Sequence, residues 1–272
     1  MIIGKRKRGE ILTRRIVITS GKGGVGKTTV TANLGVALSE LGARVALVDV
    51  DFGLNNLDVV MGLENKITYD FLDVLEGRCR AKQALVRANG KRNLFILPSG
   101  SVSPATRITG QQIKLVIESV APLFDYVLID CPAGIDAGFH RAVSCADEAI
   151  VVATPSLPSL RDADKVLTVL KSYKPDRTGV VVNRARGDLI MSDKMMMPSD
   201  VQALLKTDLI GVIPEDDAVM LAGGELPRKS DSYKAYKMLA ANVHKNAKKL
   251  FDVTAKYSGF FGSIRRSIKR SV

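Results

Sequence analysis

Ile16-Val17-Ile18-Thr19-Ser20-Gly21-Lys22-Gly23-Gly24-Val25-Gly26-Lys27-Thr28-Thr29-Val30 is the stretch on which the reading of this chain turns. A short β-branched run leads into a loop that satisfies GxxxxGK[ST], and helical spacing follows at once. Val30, Leu34, Ala37, Leu38 and Leu41 lie on one helix face, with Gly42 as a stop. Strand, glycine-rich loop and helix in that order are the context in which this pattern cradles phosphates. Gly21, Gly23, Gly24 and Gly26 let successive backbone N–H groups around Val25 turn inward, and the helix N-terminus at Lys27, Thr28 and Thr29 adds its positive dipole end. Lys27 is placed to reach the β- and γ-phosphates, and the Thr28 hydroxyl to ligate Mg²⁺.

Outward from that stretch, residues 45–48, 94–97, 127–129, 150–153, 180–182 and 209–213 are apolar on consecutive positions. Runs of this kind suit strands covered on both faces, as in a parallel sheet. Helical spacing recurs through 110–120, 137–146, 160–172 and 199–206. The alternation predicts one doubly wound, mostly parallel α/β P-loop NTPase domain over residues 14–252, closed by a helix at about 231–252. A basic extension, 1–13, precedes it and a tail, 253–272, follows. Ligands of such sheets sit beyond the carboxyl ends of the strands. Asp51 falls just past the second run and Asp130 ends the fourth, the position from which an aspartate holds Mg²⁺ beside a P-loop. Asp51 is placed to polarise the attacking water and, with Thr28 and Asp130, to complete the metal set. Asn183, after the run at 180–182, offers the paired amide donor and acceptor that can read an adenine edge.

The 272 residues are 46% hydrophobic and 25% charged, a composition that excludes collagenous and disordered classes. No apolar stretch approaches a membrane span and the N-terminus lacks a secretory h-region, so the expectation is a chain kept inside the cell. Cys79, Cys131 and Cys145 form no paired motif and read as ordinary thiols. His140 and His244 lie in no nucleophile elbow, and Met195–Met197 reads as packing or loop. The net charge of +12 is concentrated at the ends: residues 1–15 carry +5, residues 228–272 carry +10, and the remainder is −3. Cationic ends on a near-neutral body point to a polyanionic surface, either nucleic acid or an anionic leaflet.

A second lysine inside the loop, Lys22, is not needed for the local cradle. The loop Lys22-Gly-Gly-Val-Gly-Lys27-Thr28 resembles the deviant Walker A motif of the MinD/ParA family of ATPases. The resemblance continues through Asp51-Phe52-Gly53-Leu54-Asn55-Asn56-Leu57-Asp58, Asp130-Cys131-Pro132-Ala133-Gly134, Ala146–Ile150, Arg161–Asp164 and Ile213–Asp216, and narrows to the septum-site-determining branch. It implies ATP as the nucleotide, and a homodimer in which Lys22 reaches the partner's nucleotide. It also implies base contacts at Asn183, Arg184, Pro214 and Asp216. It further implies an inhibitor partner of the MinC kind and a MinE-like or polar-anchor partner. The expected location is the cytoplasm or plastid stroma, peripheral on the inner membrane face. Asn55 departs from the arginine expected in the family, and the basic extension is atypical.

On a helical wheel, Tyr257, Phe260, Phe261, Ile264, Ile268 and Val272 share one arc, with Arg265, Arg266, Lys269 and Arg270 beside and opposite it. This pattern predicts an interfacial amphipathic helix. The competing expectation is a ParA-like partition ATPase that binds DNA through its cations. DNA binding has no use for the apolar arc, so nucleic acid is the less favoured partner.

Overall fold

The computed structural model describes residues 13–52, 56–100, 108–221 and 226–258. In chain order the elements are β1 (Arg14–Thr19), α1 (Lys27–Glu40), β2 (Val45–Asp49), α2 (Leu57–Val60), α3 (Phe71–Leu75), β3 (Val86–Arg87), β4 (Leu94–Leu97), α4 (Gly110–Val120), β5 (Tyr126–Asp130), α5 (Ala137–Val143), β6 (Glu148–Ala153), α6 (Leu157–Tyr173), β7 (Arg177–Ala185), α7 (Gly187–Ile190), α8 (Pro198–Leu205), β8 (Leu209–Pro214), α9 (Asp217–Leu221) and α10 (Asp231–Lys245). The strands form one sheet in the order β3-β4-β2-β5-β1-β6-β7-β8. Every pairing is parallel except β3 with β4. Each apolar run of the sequence is a strand, while the two-residue edge strand β3 is too short to carry a periodicity.

The runs are continuous because both faces are covered. Ile16, Ile18, Val45 and Leu47 face a cluster completed by Leu34 and Leu38 of α1 and Leu239 of α10. Val17, Ala46 and Val48 face the opposite cluster, with Ile117, Phe139, Leu160 and Val201 from α4, α5, α6 and α8. The chain leaves β1 toward β2 on one side, and β5 later passes across β1 to β6 on the other. The carboxyl end of β1 is therefore the switch point at which a doubly wound sheet opens a crevice.

The C-terminal part differs from expectation. α10 ends at Lys245, short of 252, because Asn246 adopts the left-handed conformation (φ 55°) and donates its N–H to the Asn242 carbonyl at 2.9 Å. The Asn242 side chain then holds Lys249 by accepting its N–H (2.9 Å) and donating to its carbonyl (2.7 Å), which turns the chain back along the body. Tyr257, assigned by the wheel to the lipid face, is buried instead in a 3₁₀ turn, and Val253 is buried beside it. Phe260, Phe261, Ile264, Arg265, Arg266, Ile268 and Lys269 lie outside the described residues, as do Asn55 and residues 1–12. Arg14 and Arg15, counted with the basic N-terminus, are committed to internal pairs with Glu148 and Asp147, each at 2.6 Å. Among the described residues no helix is long and apolar enough to cross a membrane, and the three cysteines are free thiols.

Candidate nucleotide site

The glycine-rich loop occupies the end of β1 with its shape fixed from three sides. The Ser20 hydroxyl donates to the Lys22 carbonyl (2.8 Å), and the Gly134 N–H donates to the Ser20 carbonyl (3.0 Å), tying the loop to the segment after β5. A Cβ on Gly21 would lie 2.4 Å from the carbonyl of Asp162 in α6. Gly26 has φ +95°, and a Cβ there would lie 2.4 Å from the Asn183 amide nitrogen, so no other residue fits. Gly26 also caps α1 without a side chain, which leaves the first N–H groups of the helix to an external acceptor. Lys27 is buried, whereas Lys22 is exposed.

Opposite the loop, carboxylates gather at the ends of β2 and β5. Asp130 is buried and hydrogen-bonded to Thr28, and the Thr31 hydroxyl lies 3.0 Å both from it and from the Lys27 carbonyl. Burial pushes the Asp130 carboxyl up to about 6, against the opposing pull of Thr28, Lys27 and Thr31. Asp49, which sequence reasoning passed over, is buried and pushed up to about 7, first by burial and then by the charge of Asp130. Its two oxygens accept the N–H groups of Asp51 (2.9 Å) and Leu57 (3.4 Å), so it staples both ends of the segment that carries Asp51. The signal was the spacing Asp49-Val50-Asp51, an acid at the last position of a fully buried strand. The Asp51 charge is felt at Asp49, Asp130 and Cys131, so these carboxylates converge. Burial likewise pushes the Cys131 thiol up to about 12, which leaves it inert.

This convergence fits a magnesium–nucleotide. Carboxylates raised by burial and by one another favour a bound cation. Among the described residues no group of three or more His, Cys, Asp or Glu could hold a metal by itself. Mg²⁺ draws ligands from water and phosphate as well as from one or two carboxylates.

On the nucleoside side, β7 breaks register with β8 between Val182 and Ala185, and Arg184 is left-handed (φ 57°). This bulge aims the buried Asn183 at the loop, where its amide nitrogen donates to the Val25 carbonyl at 2.8 Å. Asn183, Arg184, Pro214 and Asp216 line one cavity of about 820 Å³ together with Gly26 and Thr29. Asp216 is engaged by the fold, its oxygens accepting the N–H groups of Ala218 (3.0 Å) and Ser232 (3.2 Å) at the starts of α9 and α10. The structure thus brings Gly21–Thr29, Asp130, Asn183, Arg184, Pro214 and Asp216 around one crevice, with Asp51 on its carboxylate side. Thr31 and Asp49 join them.

A glycine loop on a helix N-terminus, strand-end acids and an adjoining cavity at the switch point define a P-loop nucleotide-binding protein. Residues 16–226 match the CobQ/CobB/MinD/ParA nucleotide-binding domain, and the chain belongs to that family. It is 47% identical over 237 residues to the septum site-determining protein MinD of Bacillus subtilis, covering 84% of this chain and 88% of that protein. In structure it is similar to the MinC:MinD cell division protein complex of Aquifex aeolicus (TM-score 0.79, 41% identity, 85% of this chain and 96% of that chain). It is also similar to the septum site-determining protein MinD of Pyrococcus horikoshii in complex with Mg-ADP (TM-score 0.75, 36% identity, 87% and 99%).

Proposed function

We propose that this chain is a Mg²⁺-dependent ATPase that pairs with a second copy of itself on binding ATP. Paired tails then hold it to an anionic membrane, where it recruits a MinC-like division inhibitor. The observation that carries the reading is the opposite disposition of the two loop lysines. Lys27 is buried near Asp130, in position to serve its own loop's phosphates, while Lys22 is exposed and available to a nucleotide on another copy. Thr28, Asp51 and Asp130 would hold the magnesium ion, which offsets phosphate charge when bound. Asp51 orients and polarises the attacking water, the backbone N–H groups of the loop bind the phosphates, and Asn183 meets the base. Catalysis by positioning and electrostatics suits a slow ATPase that awaits an activator, a MinE-like or polar-anchor protein.

The switch follows from magnitudes. Each tail cation near an anionic leaflet contributes about 1 kcal/mol, against which the chain must be ordered, so one tail binds marginally. Two tails held side by side gain roughly 10²- to 10⁴-fold in avidity, and hydrolysis forfeits it by ending the pairing. The protein then resides on the inner face of the cell membrane, or of a plastid's, only in its ATP state. The test is co-sedimentation with anionic phospholipid vesicles in ATP and in ADP, with double-stranded DNA as competitor. Wild type binds vesicles in ATP alone, and Lys22→Ala binds ADP normally yet stays in the supernatant. Unimpaired vesicle binding by Lys22→Ala removes the dimer from the account, and DNA binding that needs ATP but no lipid favours a ParA-like partition role.

A further inference from the structure

The segment 249–257 belongs to neither a strand nor a long helix, yet it is held at four points. Asn242 grips the Lys249 backbone, and Phe251 packs between the two core clusters. Val253 and Tyr257 are buried on Gly187, the first residue of α7. A Cβ on Gly187 would lie 1.9 Å from the Val253 carbonyl oxygen and 2.8 Å from the Tyr257 ring. The glycine is needed there by close approach alone, because its φ is unremarkable. The fourth point is Lys256, whose ammonium donates to Asp231 at 2.8 Å. Lys256 and Asp231 both line the 820 Å³ cavity shared by Gly26, Thr29 and Asn183.

Two of these four points, Gly187 and Asp231, lead back to the nucleoside side of the crevice. Gly187 lies two residues past the end of β7, whose bulge aims Asn183, and Asp231 is the first residue of α10, whose next N–H is bound by Asp216. We infer that residues 249–257 are a strap that holds Lys256 at the wall of the nucleoside cavity, with Lys256 a nucleoside-side binding residue, so that nucleotide occupancy and strap order are linked. The inference rests on the nucleotide reading above. Linkage is reciprocal: if the strap strengthens nucleotide binding, nucleotide strengthens the strap by the same factor. The amphipathic arc of the sequence starts at Tyr257, so this strap leads into it, and the base end of the site is where occupancy reaches the tail.

The full-length protein tests this by amide hydrogen exchange at 249–257 without ligand, with Mg-ADP and with Mg-tripolyphosphate, together with calorimetric affinities for both. Mg-ADP should slow exchange in the strap, and tripolyphosphate, having no nucleoside, should not. Lys256→Ala should bind ADP about 3- to 10-fold more weakly with tripolyphosphate affinity unchanged, the loss of one half-exposed charged contact. Gly187→Ala should speed strap exchange in the ligand-free protein. Strap exchange indifferent to ADP, equal protection by tripolyphosphate, or wild-type ADP affinity in Lys256→Ala would each overturn the assignment. Lys27→Ala serves as the control and should lose affinity for both ligands: a Lys27→Ala variant that binds both as wild type does, or wild type that binds neither, would refute the nucleotide reading itself, a failure distinct from that of the strap.

Discussion

Asn183 carries the sharpest prediction because two readings of the same side chain diverge on one ligand. As a base reader it contacts the nucleoside only. In the structure its amide nitrogen also donates to the Val25 carbonyl at 2.8 Å, and both residues are buried. Asn183→Ala therefore leaves a carbonyl of the phosphate loop without its partner and opens space beside Gly26. An unsatisfied buried acceptor costs about 1–3 kcal/mol. If the loop binds phosphate only in its tethered shape, that cost appears in affinity as roughly a 5- to 150-fold loss. Asn183→Asp is worse, since a carboxylate cannot donate and sets charge against the carbonyl oxygen. Titration calorimetry with Mg-tripolyphosphate isolates the effect, because that ligand has no base to read. Both variants should lose tripolyphosphate affinity as well as ADP affinity, with Asp below Ala. Tripolyphosphate binding within about 2-fold of wild type in Asn183→Ala would refute the tether and leave Asn183 with the base alone.

Asp51→Ala should still bind ADP, because the loop N–H groups and Lys27 hold the phosphates and Thr28 and Asp130 remain for the ion, while phosphate release falls by about 100-fold or more; undiminished turnover would remove Asp51 from the chemistry. The nucleotide-free protein should lose stability as pH rises through about 7, since Asp49 is raised from 3.8 to about 7 by burial and by Asp130. The folded state then holds a proton that the unfolded chain has already released above about pH 4, so this contribution is full below that pH and lost through the folded value. In thermal unfolding, the stability of Asp49→Asn relative to wild type should grow between pH 5 and 8, and a pH-independent difference would show that Asp49 is ionised throughout. Truncation after Ser258 should keep ADP affinity and the melting temperature while abolishing vesicle binding; a truncated protein that still sediments with vesicles would contradict the tail assignment.

What was legible in the sequence is what local chemistry writes into it. Seven strands could be read because coverage on both faces makes consecutive residues apolar, and the phosphate loop because glycine alone serves at positions such as Gly26. The parts that escaped depend on partners far along the chain. Asp49 looks like any acid ending a strand until the Leu57 N–H returns to it eight residues later, and Thr31 like any helix residue until β5 brings Asp130 within 3.0 Å. Arg14 and Arg15 look like part of a free basic arm until β6 supplies Glu148 and the residue before it Asp147.

The C-terminal error has a more instructive cause. A helix through 252 and a lipid-facing Tyr257 follow from spacing alone, but spacing cannot register that Asn246 accepts a left-handed backbone or that Asn242 captures Lys249. Once the helix stops there, the next dozen residues must pack against whatever the reversed chain meets, and that surface is α10 itself, the core edge and the start of α7. An apolar residue at helical spacing is evidence that it will be buried, not of what buries it. Tyr257 is buried by Gly187 and its neighbours.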